Sequence, residues 1–284
     1  MSDTADKTAR HCLTSVRRWV IKVGSALLTN DGLGLDPLVM KTLTRQLAGL
    51  HALGHEVVLV SSGAIAAGLV RLNLAERPRE IHLSQDTAAV GQSALVRAYE
   101  DCLGHHGVVT AQILLSHADV RARDRYLNAR STLNTLLGMG VLPIINENDT
   151  VVTDEIRLGD NDTLAALVAN LVDAEALLIL TDQDGLMDRD PRQDKNAKLI
   201  ASADVHDPDL DAIAGEGSAL GRGGMATKLS AARLAARSGT STIIANGRLP
   251  DVIPKVVEGE LVGTFLQTNR QPLSARKQWL ASLL

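Results

Sequence analysis

The chain has 284 residues, 45% hydrophobic and 22% charged, with a formal net charge of −4. Such a composition belongs to a globular protein of one large α/β domain or two small ones, and it argues against wholesale disorder. With aromatics at only 2% and no basic excess, a nucleic-acid partner is not expected, because such surfaces use cationic charge and stacking rings.

Residues 1–18, MSDTADKTARHCLTSVRR, carry charge but no apolar signal-like run, and are expected to form a mobile N-terminal arm. No later run reaches the ~18 apolar residues of a membrane span, so no membrane partner is expected and the default location is cytoplasmic. Cys12 and Cys102 lie far apart without metal-type spacing, which reads as idle thiols in a reducing compartment. From Trp19 onward, short Val-, Ile- and Leu-rich runs predict strands at WVIKV, EVVLVS, VVTAQILL, VLPIIN, ALLILT, STIIAN and GTFLQ. Between them, Asp36 before Pro37 opens a helix that should stop at Gly54. Further helices are predicted over residues 83–103, 124–139, 163–172 and 225–238, while TVVTDEIRL alternates like an exposed hairpin. Strands alternating with helices predict an α/β fold with an open, mostly parallel sheet in an α/β/α sandwich. No repeat or linker marks a boundary, so residues 19–284 read as one domain with two functional lobes. The polar, turn-rich stretch over residues 187–224 is expected to form surface loops around a site or a mobile edge.

In open α/β sheets ligands bind where strands end and helices begin. In IKVGSALL, Lys22 sits inside an apolar strand, costly unless its ammonium meets an anion, and Gly24 allows close backbone approach. In VVLVSSGAIAAG, Ser61, Ser62, Gly63 and Ala64 open a helix whose N–H groups suit a carboxylate or phosphate; a plain serine cap with small packing residues reads equally well. INENDTVVTDEIRLGDND holds six carboxylates, Glu147, Asp149, Asp154, Glu155, Asp160 and Asp162. Asp154 and Glu155 read as a solvated hairpin, whereas Asp149 follows a strand and Asp160, Asn161 and Asp162 open a helix. In LLILTDQDGLMDRDP, Thr181 and Asp182 end a buried strand before a Gly185 turn, placed for a sugar or base, or merely for turn chemistry. In GRGGMATKLSAA, Gly221, Gly223 and Gly224 lead through Met225, Ala226 and Thr227 to Lys228. Neither the Walker spacing nor G-x-G-x-x-G is met, and a lid or an ordinary loop stays open beside a phosphate cradle. Together these junctions point to ATP with Mg2+ and a substrate bearing an ammonium group.

IKVGSALLT, VSSGAIAAG, YLNARSTLNTLL, PIINENDTV, GDND, TDQDGLMDRDPR and GRGGMATKLSAA occur in this order and resemble the amino acid kinase superfamily, within it the glutamate 5-kinases. The resemblance runs from about Trp19 to Gln267. It implies transfer of the ATP γ-phosphoryl group to the γ-carboxylate of L-glutamate, giving L-glutamyl 5-phosphate in the first step of proline biosynthesis. It also implies catalytic Lys22, Lys228 and Asp162. Substrate contacts would fall on Ser62, Gly63, Ala64, Asp149, Asp160 and Asn161. ATP contacts would fall on Lys22, Gly24, Thr181, Asp182, Gly223, Gly224, Met225, Ala226, Thr227 and Lys228, with Mg2+ held mainly by ATP itself. Proline as a feedback inhibitor and a homo-oligomer built on the helices near 83–103 and 124–139 come with the family. Ala26 and Arg222 depart from its usual pattern, and a C-terminal PUA domain carried by many relatives has no counterpart in this sequence. Relatives acting on aspartate, N-acetylglutamate, carbamate or UMP, and a non-catalytic sensor on the same fold, are the alternatives.

Overall fold

The structure, a computed structural model, describes residues 3–29, 32–151, 161–190, 194–215 and 224–268. In chain order it contains α1 (Asp3–Arg10), a 3-10 turn (His11–Ser15), β1 (Arg18–Val23), α2 (Ser25–Leu28), α3 (Pro37–Ala52), β2 (Glu56–Ser61) and α4 (Ala64–Arg71). Next come α5 (Ile81–Gly104), β3 (Thr110–Leu115), α6 (His117–Arg121), α7 (Arg123–Gly138), β4 (Leu142–Glu147) and a 3-10 turn (Asp149–Val151). After these follow α8 (Asn161–Leu171), β5 (Ala176–Thr181), β6 (Ser202–Asp204), α9 (Asp209–Gly215), α10 (Met225–Ala236), β7 (Ser241–Asn246), α11 (Val252–Val257) and β8 (Thr264–Gln267). The hairpin expected at TVVTDEIRL lies almost wholly outside the described residues, as do Asp154, Glu155, Asp160, Gly221, Arg222 and Gly223. Among the described residues no helix is long and apolar enough to cross a membrane.

Contacts divide the chain into two compact units, Val23–Asn161 and the paired segments Met1–Lys22 with Asp162–Leu284. In Val23–Asn161 the strand order is β3-β4-β2, all parallel, with Leu59 opposite Ile144 and Thr110 opposite Leu142. The Asp36 carboxylate accepts from Leu38 N at 2.8 Å and Val39 N at 3.2 Å, Pro37 fills the first helical position, and Gly54 turns the chain at φ 85°. Those three residues bound α3 as the sequence predicts, and α3 buries Met40, Leu43, Leu47 and Leu50. Helices α4 and α5 cross backbone to backbone. A Cβ on Gly68 would lie 1.9 Å from Thr87 O, and one on Gly91 would lie 1.8 Å from Ala64 O. Gly91→Ala is therefore expected to lower the thermal midpoint by the equivalent of at least ~1–3 kcal/mol, since backbone cannot yield as a side chain does. An unchanged midpoint in a melting curve would show that the crossing can relax.

The other unit orders its strands β1-β5-β7-β8-β6. β5 pairs parallel with β7, β6 parallel with β8, and β7 antiparallel with β8. All six residues of β5 are buried, as the continuous apolar run ALLILT requires of a strand covered on both faces. The expected α/β class with an open, mostly parallel sheet is thus what forms. β6 is an addition, since SAD has no β-branched residue and takes strand geometry only through its pairing with β8.

Over the described residues of the segment expected as a mobile arm, α1 and the 3-10 turn after it make contacts with the C-terminal part of the chain. Arg10 is fully buried and donates to the carbonyls of Glu260 (2.9 Å), Val262 (2.6 Å), Ala201 (2.6 Å) and Gly263 (2.7 Å). Asp6 accepts from the Ser202 hydroxyl. A guanidinium is rich in donors, and here one side chain reaches four backbone carbonyls, of which Ala201 and Glu260 also accept from Phe265 N and Val262 N. This segment consequently belongs with the C-terminal half of the chain.

Candidate active site

Within the unit formed by residues 1–22 and 162–284, three charged side chains from three elements meet. Lys22 lies near the end of β1, Asp162 in the first turn of α8, and Lys228 in the first turn of α10. They are 5%, 0% and 4% exposed. Lys22 Nζ stands 2.5 Å from Asp162 Oδ1, and Lys228 Nζ donates to Oδ2 at 3.2 Å. The Lys22 contact is an ion pair without hydrogen-bond alignment, so Oδ1 has no aligned donor. Buried ammonium groups are tolerable only when paired, and a carboxylate in the first turn of a helix gains from the helix dipole. One anion thereby fixes two cations in place, an arrangement suited to gripping a phosphate chain.

Beside this cluster the start of α10 is made of small or unbranched residues. Gly224 caps it in extended backbone, and Thr227 Oγ1 donates to Gly224 O at 2.7 Å. Met225, Ala226 and Thr227 are half-buried in the first turn, where free N–H groups favour an anion. Thr181 ends β5 with its hydroxyl donating to Asp182 Oδ1 at 3.1 Å. Its register partner on β7, Asn246, donates to Asp184 Oδ1 at 2.8 Å. Asn246 and Asp184 escaped the sequence reading, although both sit just where neighbouring strands run out.

Within Val23–Asn161 the second group assembles. Gly63 caps α4 in the left-handed region at φ 112°, which requires glycine there, and Ala64 follows, buried. Asn161 Nδ2 donates to Ser62 Oγ at 2.8 Å, to Asn146 Oδ1 at 2.9 Å and to Ser61 O at 3.1 Å. Tyr99 shares a buried 2.8 Å hydrogen bond with Ser61; burial pushes its hydroxyl strongly toward the protonated form, against the pull of Ser61. Asp149 is half-buried in the turn after β4. Burial raises its carboxyl above the ordinary aspartate value, opposed by the charge of Arg77. It shares no hydrogen bond with Ser62 or Asn161 among the described residues. Gly24 caps α2 at φ −77° and ψ 154°, a conformation open to any residue. Asp160 and Gly223 lie outside the described residues.

Among the described residues no cluster of three or more His, Cys, Asp or Glu side chains is placed to hold a metal ion. Asp162 already serves two ammonium groups, so this donor set does not fit a protein-held divalent cation.

Comparison with known proteins gives one consistent picture. The pattern of the Amino acid kinase family matches residues 17–246. The glutamate 5-kinase of Saccharophagus degradans is 59% identical over 272 residues, covering 96% of this chain and 73% of that protein. That of Chromohalobacter salexigens is 57% identical over 280 residues, covering 99% and 74%. Among solved structures, the UMP kinase from Bacillus anthracis superposes with a TM-score of 0.62 at 16% identity, over 90% of this chain and 97% of that one. At that identity the likeness concerns the fold alone.

Proposed function

Since this chain belongs to the amino acid kinase family, we propose that it is an ATP-dependent kinase forming L-glutamyl 5-phosphate from L-glutamate, the first step of proline biosynthesis. The observation that carries the chemistry is the buried Lys22–Asp162–Lys228 cluster. A γ-carboxylate with an ordinary pKa of ~4.3 is ionised at neutral pH and needs no general base. One of its oxygens bonds to the γ-phosphorus as the bond from that phosphorus to the β–γ bridging oxygen breaks, and ADP leaves without proton transfer. The obstacle is two anions approaching, and fixed positive charge with positioning removes it.

In this reading Lys22 and Lys228 bind the ATP phosphates and stabilise charge on the phosphoryl group in flight. Asp162 holds both lysines in place. The first turn of α10, with Gly223 and Gly224, meets the phosphates, Gly24 approaches them, and Thr181 and Asp182 meet the nucleoside. Any Mg2+ arrives on the ATP oxygens. Ser62 and the Gly63 and Ala64 amides take substrate carboxylate, while Asp149, Asp160 and the Asn161 side-chain carbonyl take its ammonium. Asn161 and Asp162 are consecutive, so the residue meeting the amino end lies one peptide bond from the carboxylate that holds the lysines. Cytoplasmic location, competition by proline for the glutamate subsite, and self-association through α5 or α7 belong to the same proposal. Proline leaving the glutamate KM unchanged would remove the second of these, and a monomer in sedimentation the third.

The test is ADP release with Mg-ATP and, in turn, L-glutamate, L-aspartate, N-acetylglutamate, carbamate and UMP. Dependence on glutamate supports the assignment; dependence on another acceptor replaces it. Asp149→Asn should raise the glutamate KM at least about tenfold, as loss of a charge-assisted hydrogen bond worth ~1.5–3 kcal/mol would, and leave the ATP KM unchanged. Burial holds the Asp149 carboxyl up, and a bound ammonium favours its ionised form. Glutamate binding therefore expels a proton from Asp149, so wild-type KM should fall as pH rises through that raised pKa. Measured over the same pH range, Asp149→Asn should lack this limb; identical profiles would contradict the assignment.

A further inference from the structure

Three side-chain amides stand in a row in the Val23–Asn161 unit, and their polarity is determined. Ser61 offers Asn161 a backbone carbonyl, which can only accept, at 3.1 Å. The Asn161 nitrogen must face it, and that same nitrogen faces Asn146 Oδ1 at 2.9 Å. With Oδ1 so used, Asn146 turns its own nitrogen to Gln92 Oε1, 2.8 Å away. Gln92 is buried at 8% exposure, and its Nε2 is a buried donor with no partner. At the opposite end, Asn161 Oδ1 accepts no hydrogen bond from the described residues. An orphaned buried donor is costly, so an amide held at Gln92 calls for a reason that an apolar side chain would not meet.

We propose that Gln92 is a positioning residue for the amino-acid substrate: through Asn146 it keeps an acceptor against the Asn161 nitrogen and so fixes the place at which Asn161, its direction set by the Ser61 carbonyl, presents its own side-chain carbonyl. This rests on the reading that Asn161 and Ser62 hold the substrate. Without the Gln92 acceptor, Asn146 is free to turn over and set nitrogen against nitrogen at Asn161. Asn161, its nitrogen still turned to the Ser61 carbonyl, would be pushed away from Asn146 and its side-chain carbonyl carried off the place where an ammonium needs an acceptor. Gly91 gives the relay a fixed base, because its missing Cβ lets α5 lie against the Ala64 carbonyl at the start of α4.

The experiment measures both KM values, kcat and thermal midpoint for the full chain, Gln92→Met and Gln92→Glu. Gln92→Met, similar in shape without the acceptor, should raise the glutamate KM about tenfold while the ATP KM and kcat stay within about twofold. Gln92→Glu, kept neutral by burial, still accepts from Asn146 and should stay within about threefold. An unchanged glutamate KM in Gln92→Met, or equal rises in both KM values, overturns the proposal. Should Gln92→Met fail to fold, Gln92→Glu decides: a glutamate KM close to wild type supports the acceptor role, and a rise of about tenfold or more overturns it. Wild-type protein without glutamate-dependent turnover overturns the underlying reading and this one together. Normal wild-type turnover with an indifferent Gln92→Met overturns this one alone.

Discussion

Lys22→Ala and Lys228→Ala should each lower kcat about a hundred- to a thousandfold, the loss seen when one fixed transition-state charge or donor is removed, ~2.7–4 kcal/mol. Fold stability should change little, because either deletion leaves Asp162 paired one-to-one with the remaining lysine. Asp162→Ala is the informative contrast. It leaves two ammonium groups buried together, and breaking such an arrangement costs about 3–5 kcal/mol, so activity and melting temperature should fall together. Single-turnover rates and thermal melts separate the cases. Retained turnover in both lysine variants would remove the cluster from the chemistry.

The second large effect is at the opposite end of the sequence. Arg10→Ala withdraws the donors from the carbonyls of Ala201, Glu260, Val262 and Gly263. Ala201 and Glu260 keep the backbone donors Phe265 N and Val262 N, whereas the Val262 and Gly263 carbonyls lose their guanidinium partner. A buried acceptor left alone costs ~1–3 kcal/mol and entering water offsets part of that, so a total of about 2–4 kcal/mol is expected. Burial already depresses the Arg10 pKa, with Asp6 opposing, as fits a cation held by dipoles more than by a counterion. Equilibrium denaturation should show the loss, while kcat per folded molecule stays near wild type. A change below about 1 kcal/mol would mean that residues 3–15 contribute nothing to the unit they pack on.

What the sequence discloses and what it conceals divide by range. β2, β5 and β7 begin and end where the sequence predicts, because each is an apolar run cut off by small or polar residues. The Asp36–Pro37 start of α3 is equally local. Arg10 is opaque for the opposite reason: its acceptors lie about 190 to 250 positions away, and nothing in DKTARHC announces them. β6 is hidden because its strand state comes from β8. In the site, Lys22, Asp162 and Lys228 are conspicuous as charges at strand and helix ends, and they do meet. Ser62 and Asn161 are conspicuous too, and a hydrogen bond joins them. Gln92 shows no sign, since in mid-helix a glutamine reads as a surface residue until the fold brings Asn146 to it.

The most direct test of the whole account is to incubate the purified chain with Mg-ATP, L-glutamate and hydroxylamine and assay for γ-glutamyl hydroxamate. An acyl phosphate formed at the γ-carboxylate is trapped in that form, so the account predicts hydroxamate in step with ADP, and both lowered about a hundred- to a thousandfold in Lys228→Ala. ADP release without hydroxamate, or no glutamate-dependent ADP release, would contradict it.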